Sequence, residues 1–443
     1  MLLIGNGRLI TRDAGLAYLE NGAAVTRGDS ILAVGETREM RQRYPQADFV
    51  DARGGLIMPG LINAHTHLYS ALARGLALNA YHPKDFRGIL EGLWWKLDGK
   101  LTLEATRASA RATLIDCIRQ GVTTVFDHHA SYGEISGSLL AIAQEAEKIG
   151  IRASLCYEVS DRGGEEKCRQ AIAENAAFIA HCRRQGSAML HAMFGLHALF
   201  TLSDKTLAAC AQENDGRAGY HLHLSESRDD LKDALEHHGI RPAQRLARFG
   251  MLKGDTLLVH CVHVDESEMD LIGASGAAVV NNPDSNMGNA VGCAPVLRMF
   301  EKGITVGLGT DAYTNDMLQS LRSALAAQRH QAGRPDAGWS QAAAMLFKNN
   351  PAIASGAFGL PLGILKEGAA ADIVVMDYKP YTPFGADNAD GHLFFGVTGR
   401  QCRTAVIGGV IRMRDGILQD IDEEKVNADI MQTAGKLWRS LDA

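Results

Sequence analysis

LINAHTH, residues 61–67, ends an apolar run that opens on the turn pair Pro59-Gly60, and it places His65 and His67 two positions apart. In an extended chain, residues i and i+2 project to the same face, so both imidazoles can meet one ion. An HxH pair is half of a metal site, and a solitary one is more often surface than ligand. Its meaning is decided by what stands at the ends of the apolar runs that follow.

Seven more such runs, each bounded by turns, come after it: TTVFD (123–127), RASLCY (152–157), AMFGL (192–196), YHLHL (220–224), TLLVH (256–260), AAVVN (277–281) and TVGLGTD (305–311). Segments of helical length separate them, such as 104–120, closed by Gly121, and 204–214, for which Ser203 is the expected amino-terminal cap. Strands alternating with helices predict a parallel sheet with crossover helices. Eight strands between His65 and Asp311, a span close to the roughly 250 residues typical of the fold, predict a (β/α)8 barrel. The alternative is a doubly wound open sheet, but no GxGxxG opens a helix after a strand, which weakens a nucleotide-binding reading.

The two ends read differently. Residues 1–55 and 363–420 are short strands with Gly, Asn and Asp turns. Neither end holds enough strands for a sandwich alone, so a small β-sandwich domain assembled from both termini is expected. Residues 56–362 then form the catalytic barrel, and 421–443 a closing helix packed on the body.

A chain of 443 residues with 46% apolar and 22% charged residues can bury a large core. Its net charge of −6 and pI near 6.2 offer no basic footprint for nucleic acid or anionic lipid. No apolar run approaches the roughly 18 residues of a membrane span, and MLLIGNGRLI is broken at Gly5, Asn6 and Gly7, which argues against a span or signal peptide. A cytoplasmic address is expected. The 8 cysteines include no CxxC pair and read as reduced, mostly buried thiols.

Enzymes built on such barrels keep their chemistry at the carboxyl ends of the strands. There lie His65 and His67 (strand one), His221 and His223 (strand five), His260 (strand six) and Asp311 (strand eight). Two imidazoles, a third from strand five and a carboxylate suit a borderline divalent ion such as zinc or ferrous iron. One histidine alone is more often core than ligand, but that bland reading must then hold at four strand ends at once. Of His128, His129, Trp94, Trp95, Tyr69 and Arg74, all on the loop-rich side, the aromatic rings can sandwich a planar heterocycle and histidine can pair with its edge. One of His128 and His129 is expected to point away. His237 and His238, in a charged stretch, read as surface.

PGLINAHTH, HLHLSES, LLVHCVH and GLGTD resemble, in that order, the signatures of the amidohydrolase superfamily. The resemblance covers nearly the whole chain, with GILKEGAAADIVVMD similar to the accessory β domain, and it is closest to the mononuclear deaminase and chlorohydrolase branch. DHHAS (127–131), GLWWKLD (92–98) and NAVG (289–292) are most similar to SsnA-type aminohydrolases. It implies His65, His67, His223 and Asp311 as metal ligands, with Glu226, His260 and Asp311 catalytic. His223 is selected over His221 because the family ligand stands three residues before its glutamate. AMFGLH lacks the lysine or glutamate that bridges two metals, so one divalent ion is expected, zinc first and iron(II) second. His197 matches a histidine that contacts substrate in related deaminases, and Trp95, Tyr69 and His128 complete the expected substrate contacts.

A bound divalent cation lowers the pKa of its water from about 15.7 toward roughly 7–9, so hydroxide is available at neutral pH. Asp311 can take the water's proton, Glu226 can pass one to the ring nitrogen and the departing ammonia, and His260 can orient the nucleophile. The expectation is hydrolytic deamination of an amino-substituted N-heterocycle, purine-, pyrimidine- or pterin-like. Ring opening of a cyclic amide and dechlorination are the alternatives. A silent binding scaffold is disfavoured because every ligand is retained. Ser70 and Ala71 stand where guanine-type relatives carry a glutamine that reads the ring amide, which argues against simple guanine or 8-oxoguanine recognition; Asn281 stands where many relatives carry histidine, so the strand-seven rim is expected to read a different substrate edge. A homo-oligomer is implied by the resemblance.

Overall fold

The amino-terminal segment folds as β1 (Leu2–Ile10), β2 (Tyr18–Arg27), β3 (Ser30–Glu36), β4 (Asp48–Asp51) and β5 (Leu56–Pro59) in a computed structural model that describes residues 1–79 and 81–441. The central strands are β6 (Leu61–Thr66), β7 (Val122–His129), β8 (Arg152–Tyr157), β9 (Leu190–Ala192), β10 (Phe194–Ala198), β11 (Tyr220–Leu224), β12 (Leu257–His260), β13 (Ala278–Asn281) and β14 (Val306–Leu308). The carboxyl-terminal segment adds β15 (Ile373–Met376), β16 (Cys402–Ile407), β17 (Val410–Arg414) and β18 (Ile417–Leu418).

The central strands form two parallel sheets, β6-β7-β8-β9 and β10-β11-β12-β13-β14. Every residue of β6, β7, β8 and β11 is buried, because helices cover one face and side chains fill the other. That is why these strands read as unbroken apolar runs. The run expected at 192–196 is not one strand: it divides at Met193, with β9 beside β8 and β10 beside β11. The two sheets touch at both seams. Val159 bridges Leu196, with His197 N donating to Val159 O at 2.9 Å, and Thr66 bridges Asp311, with Thr310 N and Asp311 N donating to His65 O at 3.0 and 3.1 Å.

Helix starts follow the expected capping chemistry. Ser203 Oγ accepts from Thr206 N at 3.2 Å, and Thr102 Oγ1 from Ala105 N at 3.2 Å at the start of Leu103–Arg119. Gly121 follows that helix with φ of +77°.

Strands from both ends of the chain share one sheet of nine, ordered β18-β17-β16-β15-β5-β1-β2-β3, with β4 beside β1. Its hinge is β5, parallel to β1 and antiparallel to β15. Leu56–Pro59, assigned from sequence to the barrel side of the boundary, thus belongs to the terminal sheet. The chain then turns at Gly60, where a Cβ would lie 2.2 Å from Thr123 Oγ1. Arg152 on β8 and Asp372, just before β15, tie this sheet to the central one through a buried ion pair of 3.3 Å. The final helix, Glu423–Leu441, lies against Leu103–Arg119, and Trp438 Nε1 donates to Leu72 O at 2.7 Å. The last two residues of the expected 421–443 segment lie outside the described residues. All the cysteines are free, six of them buried. Among the described residues no helix is long and apolar enough to cross a membrane.

Candidate metal centre

The histidines of β6, β11 and β12 converge because all three strands end at the same rim. Nitrogens of His65, His67 and His223 lie within 4.8 Å of one another, and so do ligand atoms of His65, His260 and Asp311. Asp311 is drawn in by the seam: the two backbone amides that donate to His65 O fix its position, and Thr66 Oγ1 donates to Asp311 O at 3.1 Å. Gly309 permits this approach, since a Cβ there would stand 2.9 Å from His65 O. His260 and Asp311 both adopt left-handed backbone, with φ of 73° and 55°.

Hydrogen bonds orient each ring. His65 Nδ1 and His221 Nε2 are 2.9 Å apart, which leaves His65 Nε2 buried without a partner among the described residues. His67 Nδ1 donates to His128 O at 2.6 Å, leaving Nε2 3.2 Å from Asp311 Oδ1. Buried imidazoles whose second nitrogen is held by a carbonyl or another ring, and whose first faces a carboxylate, fit a divalent cation. His65, His67, His223, His260 and Asp311 are the side chains whose nitrogen and carboxylate atoms cluster here.

Charge coupling within the cluster is strong. Burial would lower His67, but the hydrogen bond and charge of Asp311 outweigh it and raise the ring to about 9. Burial likewise opposes the charge on Asp311, yet contact with His67 holds that carboxyl well below the usual range. The same atoms can hold a proton or a cation, so uptake of an ion displaces a proton. His223 is pulled well down by burial and by His128, so its ring is neutral.

Glu226 follows β11, and its Oε2 lies 3.3 Å from His260 Nε2. Burial first, then the charge of Asp311, push Glu226 well above the ordinary carboxylate range. A carboxyl pushed upward by burial is suited to give and retake a proton. Sequence reasoning missed three residues that hold this group in place, all from the polar run after β13. Ser285 Oγ donates to Asp311 Oδ2 at 2.5 Å, Asn286 Nδ2 donates to His260 Nδ1 at 2.8 Å, and Asn289 Nδ2 donates to Glu226 Oε1 at 3.3 Å. A bond to His260 Nδ1 puts the ring proton on Nε2, facing the carboxylates.

Next to the cluster opens a cavity walled by Tyr69, Trp94, Trp95, His197, Glu226 and Asp311 among others. His128 lies behind its surface, with Nε2 donating to Leu196 O at 2.9 Å. His129 is also buried, both ring nitrogens without partners among the described residues, packed by Tyr69 and Tyr157. Arg74, Ser70 and Ala71 line an adjoining groove. Asn281 does not reach the rim as expected: it is buried, its amide 4.0 Å from Met345 Sδ, and the residues after β13 take that place. Glu158, Asp98 and Asp230 are acidic wall residues the sequence analysis did not select. His237 is exposed, while His238 is half-buried beside Asp204.

Four imidazoles and a carboxylate at the carboxyl ends of parallel strands define a metal-dependent hydrolase site. The sequence profile of the amidohydrolase family matches residues 56–412, and the chain belongs to that family. It is 30% identical to a 5'-deoxyadenosine deaminase of Methanosarcina barkeri over 100% of this chain and 99% of that protein. It is 32% identical to a 5-methylthioadenosine/S-adenosylhomocysteine deaminase of Haloarcula marismortui, over 98% of each chain. Among solved structures, an adenosine deaminase from Xanthomonas campestris with bound zinc superposes with a TM-score of 0.87 at 24% identity, covering 98% of both chains. Atrazine chlorohydrolase TrzN from Arthrobacter aurescens, complexed with zinc, gives 0.80 at 25% identity over 98% of this chain and 100% of that one.

Proposed function

We propose that this protein hydrolytically deaminates an amino-substituted N-heterocycle and releases ammonia, with one divalent cation, zinc first, held by His65, His67, His223 and Asp311. The observation that carries the reading is the clustering of His65 with His67 and His223 on one side and with Asp311 on the other, His67 Nε2 standing 3.2 Å from Asp311 Oδ1, beside a carboxyl, Glu226, that burial pushes upward. The deaminases among its relatives support the reaction class. The two seams support closure of the parallel sheets into one eight-stranded barrel, and the shared nine-stranded sheet supports a separate domain built from both termini.

A divalent cation bound there supplies a water acidic enough to attack as hydroxide at neutral pH. The chain's own groups do the rest. Asp311 accepts the proton released on attack. Glu226 delivers its proton to the ring nitrogen, regains one from the hydroxyl of the tetrahedral centre as the carbonyl forms, and passes that one to the leaving amine as the C–N bond breaks; the proton held by Asp311 then restores it. His260, its Nε2–H fixed by Asn286, donates to the oxygen that becomes negative. Trp95, Tyr69 and His197 hold the ring against the cluster, and the buried wall excludes bulk water.

The test is a screen of amino-purines, amino-pyrimidines, pterins, adenosine derivatives, cyclic amides and chlorinated triazines against zinc-loaded protein, with ammonia, chloride and product mass read together. Ammonia release from an amino ring is the expected result. A product heavier by one water with no ammonia, or chloride alone, would replace deamination with ring opening or dechlorination.

A further inference from the structure

One neutral side chain joins the acid and the base of the reaction above. Asn289 follows the short helix Pro283–Gly288 one turn after Ser285, its backbone N donating to Ser285 O at 2.8 Å, so the two side chains leave the same face. The amide nitrogen of Asn289 donates twice, to Glu226 Oε1 at 3.3 Å and to Ser285 Oγ at 3.2 Å. Ser285 spends its own hydrogen on Asp311 Oδ2 at 2.5 Å. The amide therefore reaches Glu226 directly and Asp311 through one hydroxyl.

A carboxamide can turn end for end unless its oxygen is held, and Tyr313 holds this one: its Oη donates to Asn289 Oδ1 at 2.9 Å. The phenol is exposed at the mouth of the site, where it lines both the cavity and the adjoining groove. Gly288 makes room for it, since a Cβ there would come 2.3 Å from the Tyr313 ring. An asparagine amide has two hydrogens to give and one oxygen to accept, and here the oxygen takes the phenol while the nitrogen serves both acidic groups. A donor on the oxygen fixes which end of the amide is nitrogen, and so directs both hydrogens inward.

We propose that Tyr313 and Asn289 are positioning residues: together they bracket the two acidic groups of the site, fixing the spacing of Glu226 and Asp311 and turning Glu226 so that Oε1 is engaged and Oε2 is left for proton transfer. The role given to Glu226 rests on the heterocycle-deaminase reading, whereas the hold on Asp311 can be measured without it. Two acidic side chains in a buried site repel when both are charged, and a neutral group that offers each a hydrogen keeps them apart without adding an acceptor that would compete. Glu226 Oε2 then stands 3.3 Å from His260 Nε2, on the side of the imidazole cluster. Neither Tyr313 nor Asn289 has to touch the reacting atoms for this; the phenol acts through the amide, and the amide through the carboxyl groups.

Two series of variants test the bracket, one read by zinc affinity in competition with a chelator and one by ammonia release from the amino-purines, amino-pyrimidines and pterins of the screen above. Ser285→Ala should hold zinc about tenfold more weakly and Asn289→Ala about threefold more weakly, with the double variant no weaker than Ser285→Ala, because the amide acts on Asp311 through that hydroxyl. Tyr313→Phe removes only the hydroxyl and should lower kcat about tenfold while KM stays within about twofold, and Gly288→Ala, which displaces the ring, should do the same. Tyr313→Phe combined with Asn289→Ala should be no slower than Asn289→Ala alone. Losses that multiply in either double variant, or zinc held as tightly by Asn289→Ala as by the unaltered protein, would overturn the bracket and leave the deaminase reading standing. So would a Tyr313→Phe effect confined to KM, which would make the phenol a substrate contact. Where Asn289→Ala fails to fold, the kcat and KM of Tyr313→Phe decide the matter. Ammonia from none of these rings would overturn the deaminase reading, and the zinc series would then decide the bracket by itself.

Discussion

His260 and Asp311 reach the centre through left-handed backbone, a conformation that costs a residue bearing Cβ about 1–3 kcal/mol and persists only where the surroundings impose it. The impositions are visible: the seam amides hold Asp311, and Asn286 holds the His260 ring. Glu226 differs in kind, since its work is proton transfer and not ligation. Glu226→Gln should keep one equivalent of metal by atomic absorption while turnover falls by about two or more orders of magnitude. Metal-free Glu226→Gln would refute that assignment. His223→Ala should lose the ion outright, and full occupancy in it would move the ligand to His221. That His65 and His67 would come together was legible because strand periodicity forces HxH onto one face. Which nitrogen points inward was not, because His221 Nε2 and the His128 carbonyl settle that from other strands.

Among the elements, YHLHL was legible to the residue, since a strand buried on both faces has sharp apolar limits. The run 192–196 was not, because its division at Met193 comes from pairing with two different neighbours and leaves no mark in composition. The last strand stops at Leu308, short of the expected 311, and Asp311 then takes left-handed backbone with φ of 55°. The polar run after β13 was not selected: Ser285, Asn286 and Asn289 act on Asp311, His260 and Glu226, which stand at or just past the ends of β14, β12 and β11, a relation only the assembled rim displays. Pairing of β8 with β9 also carries a pH signature. On β9, His191 is lowered to about 4 by burial, partly offset by Asp255, and its Nδ1 lies 2.9 Å from Ser154 Oγ on β8. A depressed histidine favours folding while neutral, so its contribution is whole above the unfolded value near 6.5 and is lost as pH falls toward 4. That is worth about 3 kcal/mol at 1.36 kcal/mol per pKa unit. His191→Gln should flatten this acid loss in urea titrations at pH 7 and pH 4.5; an unchanged slope would place the acid-sensitive group elsewhere.

Over the whole molecule, the sequence showed that both ends are β-rich, and the structure adds that β5 welds them into one sheet. Arg152 and Asp372 then couple that sheet to the central strands with side chains only 2% and 3% exposed. Such pairs contribute little net energy intact and are costly to break on one side. Arg152→Ala, which strands Asp372, should cost about 3–5 kcal/mol in urea unfolding, whereas replacing both partners by apolar residues of similar volume should cost far less. Equal losses in the single and double variants would show that packing, not charge, joins the two parts.

The seam at Thr66 and Asp311 joins residues 245 positions apart. During synthesis the paired histidines of the first central strand leave the ribosome long before the aspartate that completes their grip. For most of its translation the nascent polypeptide is half a chelator, able to touch an ion and unable to keep it. With the proposed ligands, tight loading therefore waits for the last parallel strand to be made.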